Sequence, residues 1–299
     1  MLQLKNLTKR FGPTYALKDM SFTVPDGEVF GFLGPNGAGK TTAMRAIFGL
    51  IKLDSGEVLW RNKNISQADK KTLGYMPEER GLYPKMTVQD QLIYIGRLHG
   101  LDARTAHHRA KILIEELQIQ GGGSVKIESL SLGNRQRCQI AATLIHEPEL
   151  LVLDEPFSGL DPISIDIVRN ILLSYASLGR TVLFSSHQLE MVENFCQSVA
   201  IANHGHIAVA DRIENLTTST ATLILKVRED PKGTFLDSIS GIKFNKLEDE
   251  SLQVELSDDT DPNIVLQAAM KAGTLERYEF ARRPLSSVFK SVIHSSVNN

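Results

Sequence analysis

Hydrophobic and polar residues alternate in short runs through the first thirty positions of the chain. Leu2 and Leu4 share one face of such a run, and Phe22 and Val24 repeat the spacing after a Gly-Pro turn. A period of two is typical of strands with one buried face. The segment therefore predicts antiparallel strands, and residues 56–60 predict another short strand.

Longer apolar runs predict buried strands at residues 28–33, 150–153 and 180–187, and Pro77 ends a further apolar strand. Such continuous runs are typical of parallel sheets, which are covered on both faces. The strands alternate with helical segments, which indicates an α/β fold.

Helical spacing, with apolar residues three and four positions apart, occurs at residues 42–50, 87–118 and 130–145. Thr87 and Ser131 are suitable N-caps, because their hydroxyls can accept a hydrogen bond from the first turn. Capping alone is a sufficient explanation for a serine at position 131.

The character of the sequence changes near residue 221. A Thr- and Ser-rich stretch at 213–220 matches no motif and is interpreted as a linker between a domain of residues 1–215 and one of residues 221–299. The order after it is strand, helix, strand, strand, helix, strand and a last amphipathic helix. That order is compatible with a small α+β, ferredoxin-like domain.

Composition narrows the functional classes. Apolar residues make up 42% and charged residues 23% of the 299 positions, and the net charge of −2 gives no electrostatic reason for a nucleic-acid partner. No apolar run approaches the roughly 18 residues of a membrane span, and the N-terminus lacks a signal-peptide core. Cys138 and Cys196 form no C-x-x-C pair and are expected to be reduced, buried thiols of a cytosolic protein. A membrane role would thus need a separate membrane-embedded partner.

One stretch between a predicted strand and a predicted helix carries specific chemistry. It fills the pattern G-x-x-x-x-G-K-[ST] with Gly34, Pro35, Asn36, Gly37, Ala38, Gly39, Lys40 and Thr41, followed by Thr42. Glycines allow successive backbone N–H groups to face a phosphate, and the helix N-terminus adds about half a positive charge. Lys40 would reach the β- and γ-phosphates, and the Thr41 hydroxyl would ligate Mg²⁺. The chain is therefore predicted to bind a nucleoside triphosphate.

Polar side chains follow several predicted strands where those strands end. Asp154 and Glu155 follow residues 150–153, Glu78 follows Pro77, and His187 closes the strand of residues 180–187. Ligands of parallel α/β sheets bind at this edge, and a buried carboxylate there requires a metal or a lysine nearby. Without that context, adjacent acids on a loop are ordinary solvated residues.

Taken together, the motifs resemble those of the ATPase subunits of ATP-binding cassette (ABC) transporters, over residues 1 to about 215. In the order of the family, the matches are Phe11 as the adenine-stacking aromatic, 34–42 as Walker A, 130–134 as the signature motif, 150–155 as Walker B, 158–161 as the D-loop and His187 as the switch histidine. Without the resemblance, Phe11 is more simply a core aromatic. The resemblance implies a P-loop NTPase cassette, with a RecA-like core, an antiparallel β subdomain and a helical subdomain at about 85–145.

The resemblance also implies a dimer of cassettes, either two copies or a pair with a related cassette. Each of two ATP molecules would be held by Walker A of one subunit and by Ser131 and Gly133 of the other. The metal ligands for Mg²⁺ would be Thr41, Glu78 and, through water, Asp154. Glu155 would polarise the attacking water, while Lys40 and His187 would contact the γ-phosphate.

Two departures from the family pattern concern the site. Glu78 stands where the family commonly has Gln, which adds negative charge beside the γ-phosphate. The signature has Leu132 for the usual Gly and Asn134 for the usual Gln, whereas Ser131 and Gly133 are kept. The loop at 78–84 resembles that of bacterial sodium and drug exporters, which favours export over import.

Three hypotheses follow. The first is a cytoplasmic ATPase subunit, peripheral on the inner face of the cell membrane, that drives a membrane-spanning permease. The second is a soluble cassette ATPase acting on ribosomes or DNA, whose usual paired cassettes, long heptad insertions or basic extensions are missing from the sequence. The third makes the C-terminal domain a small-molecule-binding regulator and is compatible with the first. The transported substrate is not encoded here, because the permease selects it.

Overall fold

The structure is a computed structural model that describes residues 1–79, 81–257, 260–282 and 284–295. The described residues divide into two compact units, one formed by residues of 1–213 with 289–295, and the other by residues of 214–288. Among the described residues, no helix combines the length and the apolar character needed to cross a membrane.

The first unit contains two sheets. Its strands are β1 (Leu2–Phe11), β2 (Thr14–Val24), β3 (Val29–Leu33), β4 (Ser55–Trp60), β5 (Lys63–Asn64), β6 (Leu73–Met76), β7 (Leu150–Leu153), β8 (Thr181–Ser186), β9 (Ser198–Asn203) and β10 (His206–Arg212). An antiparallel sheet has the order β2-β1-β4-β5, and a six-stranded sheet has the order β10-β9-β3-β8-β7-β6. In the six-stranded sheet every pair is parallel except β9 with β10. The antiparallel and parallel strands that the hydrophobic pattern predicts are therefore confirmed.

The register of the parallel strands determines where the polar strand-end residues lie. Leu33 at the end of β3 is opposite Ser186 at the end of β8, and Leu153 at the end of β7 is opposite Met76 at the end of β6. The segments that follow these four strands consequently leave the sheet at the same edge.

The helices of the first unit cover the parallel sheet or extend from it. They are α1 (Lys40–Ile47), α2 (Val88–Leu98), α3 (Ala103–Glu116), α4 (Leu132–Leu144), α5 (Pro162–Ser177) and α6 (Leu189–Phe195). The predicted caps are confirmed, since the hydroxyls of Thr87 and Ser131 accept hydrogen bonds from the backbone N–H groups of Asp90 and Asn134. Helix α1 begins two residues earlier than predicted, at Lys40.

Both cysteines match the prediction made for them. Cys138 lies in α4 and Cys196 follows α6, and both are free and buried. Burial raises the pKa of the Cys138 thiol to about 12. Each thiol therefore behaves as a small apolar side chain of the core.

The second unit is built on one antiparallel sheet. Its elements are α7 (Ile213–Thr217), β11 (Thr218–Val227), β12 (Ile242–Lys246), β13 (Leu252–Leu256), α8 (Pro262–Ala272), β14 (Leu275–Arg282) and the beginning of α9 (Leu285–Ser295), with a short 3₁₀ helix at Thr234–Ser238. The strand order is β12-β13-β11-β14, and all neighbours are antiparallel. Leu223, Leu225 and Val254 form the buried side of the sheet, against Val265 of α8.

The interpretation of residues 213–220 as a linker is wrong. Helix α7 occupies the first part of this stretch, and β11 begins at Thr218, which pairs with Arg282 of β14. Thr and Ser are common in linkers, but β-branched Thr also fits a pleated strand, so composition alone does not separate the two states. At the other end, residues 289–295 group with the first unit and not with residues 214–288.

A single apolar cluster joins the antiparallel sheet, the parallel sheet and α1. Phe32 of β3 is fully buried at its centre, and its ring centroid lies 4.9 Å from that of Phe22 on β2. Trp60 at the end of β4 belongs to the same cluster. Packing around β3 therefore supports the strand that leads into the phosphate loop.

We expect Phe32→Ala to lower the free energy of unfolding of the first unit by about 3–5 kcal/mol, because it removes a buried ring and leaves a cavity. Urea unfolding followed by the fluorescence of Trp60, the only tryptophan, measures the loss. Leu98→Ala is the control, since Leu98 is 65% exposed and its truncation should cost less than about 0.5 kcal/mol. A loss below about 1 kcal/mol for Phe32→Ala would contradict the central place of this ring.

Candidate active site

A cavity of about 680 Å³ lies at the edge where β3, β6, β7 and β8 end. It is lined by Thr14, Tyr15, Ala16, Asn36, Gly37, Ala38, Gly39, Lys40, Thr41, Thr42, Glu78, Asp154, Glu155, Ser158 and His187. The structure thus brings together most of the phosphate loop, both strand-end acids, Glu78 and the strand-end histidine. Phe11, Ser131 and Gly133 do not line this cavity.

The phosphate loop has the backbone that its sequence predicts. Gly39 immediately precedes α1 and has φ +98°, in the left-handed region that glycine favours. A Cβ atom there would lie 2.4 Å from the carbonyl oxygen of Ala16, so no other residue fits. The close approach to β2 holds the loop against the antiparallel sheet, with the N-terminus of α1 at the cavity.

Lys40 is the cation of the site. Its Nζ donates to the carbonyl oxygens of Gly34 at 2.7 Å and Pro35 at 3.3 Å. Burial lowers the pKa of Lys40, while the carboxylates of Glu155, Asp154 and Glu78 oppose that shift. The ammonium group is therefore folded over its own loop, where a phosphate oxygen could replace the carbonyls as acceptor.

Asp154 is buried, and its two carboxylate oxygens differ in their surroundings. Oδ1 accepts a hydrogen bond of 2.6 Å from the Ser185 hydroxyl, whereas Oδ2 has no hydrogen-bond partner among the described residues. An unpaired carboxylate oxygen is costly to bury, so Oδ2 is suited to a cation or its water.

The oxygens around Asp154 fit Mg²⁺, which prefers oxygen ligands and is usually bound by one or two carboxylates together with substrate phosphates. Thr41 and Glu78 line the same cavity. Within the described ranges, no three His, Cys, Asp or Glu side chains are grouped as a metal site of their own. The donor set therefore fits a cation shared with phosphate.

Glu155 is fixed from several directions. Its backbone has φ +50°, its N–H donates to Ser185 Oγ at 2.8 Å, and its Oε2 lies 3.0 Å from His187 Nδ1. Burial raises the pKa of Glu155, and the hydrogen bond from His187 opposes the rise. A left-handed backbone in a residue other than glycine persists only where the surroundings impose it. The carboxylate is thus held in place with a pKa shifted in the direction that suits a general base.

Two residues that hold the acids were missed in the sequence. Ser185 bonds both Asp154 and Glu155, and Gln136 of α4 donates from Nε2 to the carbonyl oxygens of Glu155 at 3.3 Å and Pro156 at 3.0 Å. Ser185 lies in β8, two residues before His187, and a polar residue so close to a candidate site residue is the signal that could have identified it. Gln136 gives only the weaker signal of a polar residue within a buried helix.

The adenine-stacking role predicted for Phe11 has no support from the cavity. Phe11 is 53% exposed, which also excludes the core, and its ring centroid lies 5.2 Å from Lys9 Nζ. Tyr15, in the same β1–β2 hairpin, lines the cavity instead, with the Arg10 guanidinium 5.2 Å from its ring. Tyr15 follows Gly12 by three residues, whereas the aromatic predicted to stack on adenine is the residue directly before that glycine.

The signature residues lie at the exposed N-terminus of α4. Ser131 Oγ accepts from Asn134 Nδ2 at 2.9 Å, and Asn134 Oδ1 accepts from the Gln120 N–H and from Arg137, both at 2.9 Å. The side chain of Leu132 covers Gly159 of the D-loop, where a Cβ would lie 2.6 Å from Leu132 Cδ2. Both departures from the usual signature therefore make contacts within the same chain, and Ser131 and Gly133 remain at the surface.

Comparisons with known proteins agree with this geometry. The family described as ABC transporter matches residues 17–158. The chain is 34% identical to the uncharacterised ABC transporter ATP-binding protein YhaQ of Bacillus subtilis (strain 168), over 97% of each chain. It is 31% identical to the Nod factor export ATP-binding protein I of Burkholderia lata, over 96% of this chain and 95% of that one.

A solved structure of an ATP-binding subunit of an ABC transporter superposes with a TM-score of 0.67 at 27% identity, covering 72% of this chain and 91% of its own. The first unit therefore has the P-loop NTPase fold of ABC cassettes. The names of the relatives support the transporter hypothesis. They give no support to the alternative of a cassette ATPase that acts on ribosomes or DNA. Because the identity exceeds 30% along almost the whole length of such relatives, the chain belongs to the family of ABC transporter ATP-binding proteins and serves as the ATP-binding subunit of a transporter.

Proposed function

We propose that this subunit hydrolyses Mg-ATP at a site completed by a second cassette and thereby drives a membrane-spanning permease. The observation that carries the proposal is Glu155, which is held by Ser185, Gln136 and His187 at a cavity that also contains the phosphate loop. A fixed carboxylate beside a triphosphate site is the arrangement expected of a base that accepts a proton from the attacking water.

The other residues take roles that follow from their positions. The backbone of residues 34–39 and the N-terminus of α1 bind the phosphates, with Thr42 beside them, and Lys40 moves from its loop carbonyls to the β- and γ-phosphates. Thr41, Glu78 and, through water, Asp154 would hold Mg²⁺, which would supply positive charge that neutralises the phosphates. His187 keeps Glu155 oriented and contacts the γ-phosphate. The adenine stacks on Phe11 or on Tyr15, and Tyr15 is favoured because it lines the cavity.

The second cassette is needed because Ser131 and Gly133 lie away from their own cavity, at the exposed N-terminus of α4. A helix N-terminus attracts anions through its unpaired N–H groups and its dipole. In a head-to-tail pair of cassettes, this terminus faces the γ-phosphate bound by the partner. The partner is a second copy or a related cassette.

Export is the proposed direction, supported by the name of the Nod factor export relative and by the loop at 78–84. The subunit would then lie at the cytoplasmic face of the membrane, attached to its permease. The strand order β12-β13-β11-β14, with the 3₁₀ helix and α8 as the two crossovers, supports a ferredoxin-like βαββαβ arrangement for the second unit.

We expect Glu155→Gln to retain ATP binding while lowering kcat by about 10²–10⁴-fold, because the amide cannot accept the proton of the attacking water. Equilibrium dialysis with labelled ATP and a phosphate-release assay measure the two effects. Glu79→Gln is the matched control, since Glu79 is an exposed acid that does not line the cavity. Near-normal hydrolysis by Glu155→Gln would remove Glu155 from the catalytic role.

The pH dependence of hydrolysis should follow the raised pKa of Glu155. A base must be ionised, so kcat/KM should rise with pH through that pKa, with an acid limb above the ordinary glutamate value of 4.5. His187→Ala removes the hydrogen bond that opposes the rise, so the limb of its residual activity should move to still higher pH. The ionisation of ATP affects the pH profiles of the variant and the wild type equally, so a difference between the two profiles comes from the protein. An acid limb that stays in place in His187→Ala would contradict the assignment.

Two substitutions at Ser131 separate capping from phosphate contact. Ser131→Ala loses the cap and should cost about 1 kcal/mol of stability, whereas Ser131→Asp retains a good cap but presents a negative charge. We expect Ser131→Asp to keep the wild-type stability and to lose ATP-dependent dimerisation, measured by light scattering in the Glu155→Gln background. Undiminished dimerisation would show that Ser131 does not meet the partner's nucleotide.

A further inference from the structure

A second buried glutamine of α4 holds the segment that carries Glu78. Gln139 is 5% exposed, and its Nε2 donates to the carbonyl oxygens of Pro77 at 2.8 Å and Glu79 at 3.4 Å. These carbonyls belong to the residues directly before and after Glu78. One side-chain amide therefore grips the backbone on both sides of this carboxylate.

A glutamine from another helix anchors the same segment further along. Gln91 of α2 is fully buried, and its Oε1 accepts a hydrogen bond of 2.8 Å from the backbone N–H of Tyr83. We call Gln91 and Gln139 the glutamine clamp. Gln139 attaches the beginning of the loop that carries Glu78 to α4, and Gln91 attaches the end of that loop to α2.

A small cavity of about 200 Å³ borders the clamp. Gln91 Nε2 and Gln139 Oε1, the amide halves that do not bind the loop, have no partner among the described residues, and both side chains line this cavity together with Pro77 and Leu82. A loop beside a void lacks van der Waals contacts on that side. The two amide hydrogen bonds therefore restrain the loop on the side of this cavity, and the cavity leaves room for the loop to shift when they are lost.

We propose that Gln139 and Gln91 are positioning residues for ATP hydrolysis, which fix Glu78 in the nucleotide cavity by clamping the backbone around it. The inference rests on the proposed function, because it requires Glu78 to act at the site of hydrolysis. Helices α2 and α4 thereby set the position of this carboxylate through the two side-chain amides.

The first test is a double-mutant cycle between Gln139 and Glu78. Gln139→Met keeps the length and volume of the side chain but removes the donor. We expect it to lower kcat about tenfold, with KM for Mg-ATP changed less than about twofold. In the Glu78→Ala background the same substitution should change kcat less than about twofold, because the group that the clamp positions is already missing.

Thr143→Val is the matched control for this cycle. Thr143 lies one turn further along α4 and lines the same small cavity, but its hydroxyl donates to the carbonyl oxygen of Gln139 and not to the loop. The kcat of the Thr143→Val variant should equal that of the wild type. A kcat for Gln139→Met within twofold of wild type, or an equal loss in both backgrounds, would overturn the positioning role and leave Gln139 a structural residue.

A second readout is independent of catalysis. Hydrogen–deuterium exchange should show the Tyr83 amide exchanging at least tenfold faster in Gln91→Met than in wild type, with the Glu79 segment faster in Gln139→Met. Unchanged exchange in both variants overturns the clamp whether or not the chain hydrolyses ATP. If the variants exchange faster but the wild-type protein does not hydrolyse ATP, the proposed function and the catalytic role of the clamp are overturned. The clamp itself then stands as a structural feature. If Gln139→Met fails to fold, Gln91→Met carries the same cycle with Glu78→Ala.

Discussion

The hydrogen-bonded register of the parallel sheet is the constraint on which the site depends. Because β3, β8, β7 and β6 are neighbours in register, the phosphate loop, His187, Asp154 and Glu78 all follow strands that end at one edge. A slip of one residue would move a strand end by about 3.3 Å and turn its side chains to the opposite face. The buried aromatic cluster around Phe32 opposes such a slip, so core packing and site geometry are maintained by the same contacts.

The site also shows how a protein keeps several acids close to one another. Asp154, Glu155 and Glu78 line one cavity with a single lysine, Lys40. Hydrogen bonds from Ser185 and His187 satisfy part of the two Walker B carboxylates, and Asp154 Oδ2 is left without a partner in the described part of the chain. Concentrated negative charge of this kind is stabilised by a cation, which is why the donor set around Asp154 fits one.

Much of this arrangement could be predicted from the sequence because it is local. The phosphate loop, the caps at Thr87 and Ser131 and the acids after apolar strands are all encoded in short, periodic segments. The roles of the residues that were missed, among them Ser185 and Tyr15, depend on contacts between segments far apart in the chain, and the local sequence gives only a weak signal of those contacts. The error at residues 213–220 has another origin, since threonine suits both an exposed linker and a strand.

Helix α4 has thirteen residues, about 20 Å, and it is tied to the site at several points along its length. Its tip presents Ser131, its middle grips the backbone beside Glu155 through Gln136, and the following turn grips the backbone beside Glu78 through Gln139. A stiff rod attached in this way cannot tilt without displacing both acidic loops at once. A force applied to the tip would therefore displace the backbone beside both carboxylates together.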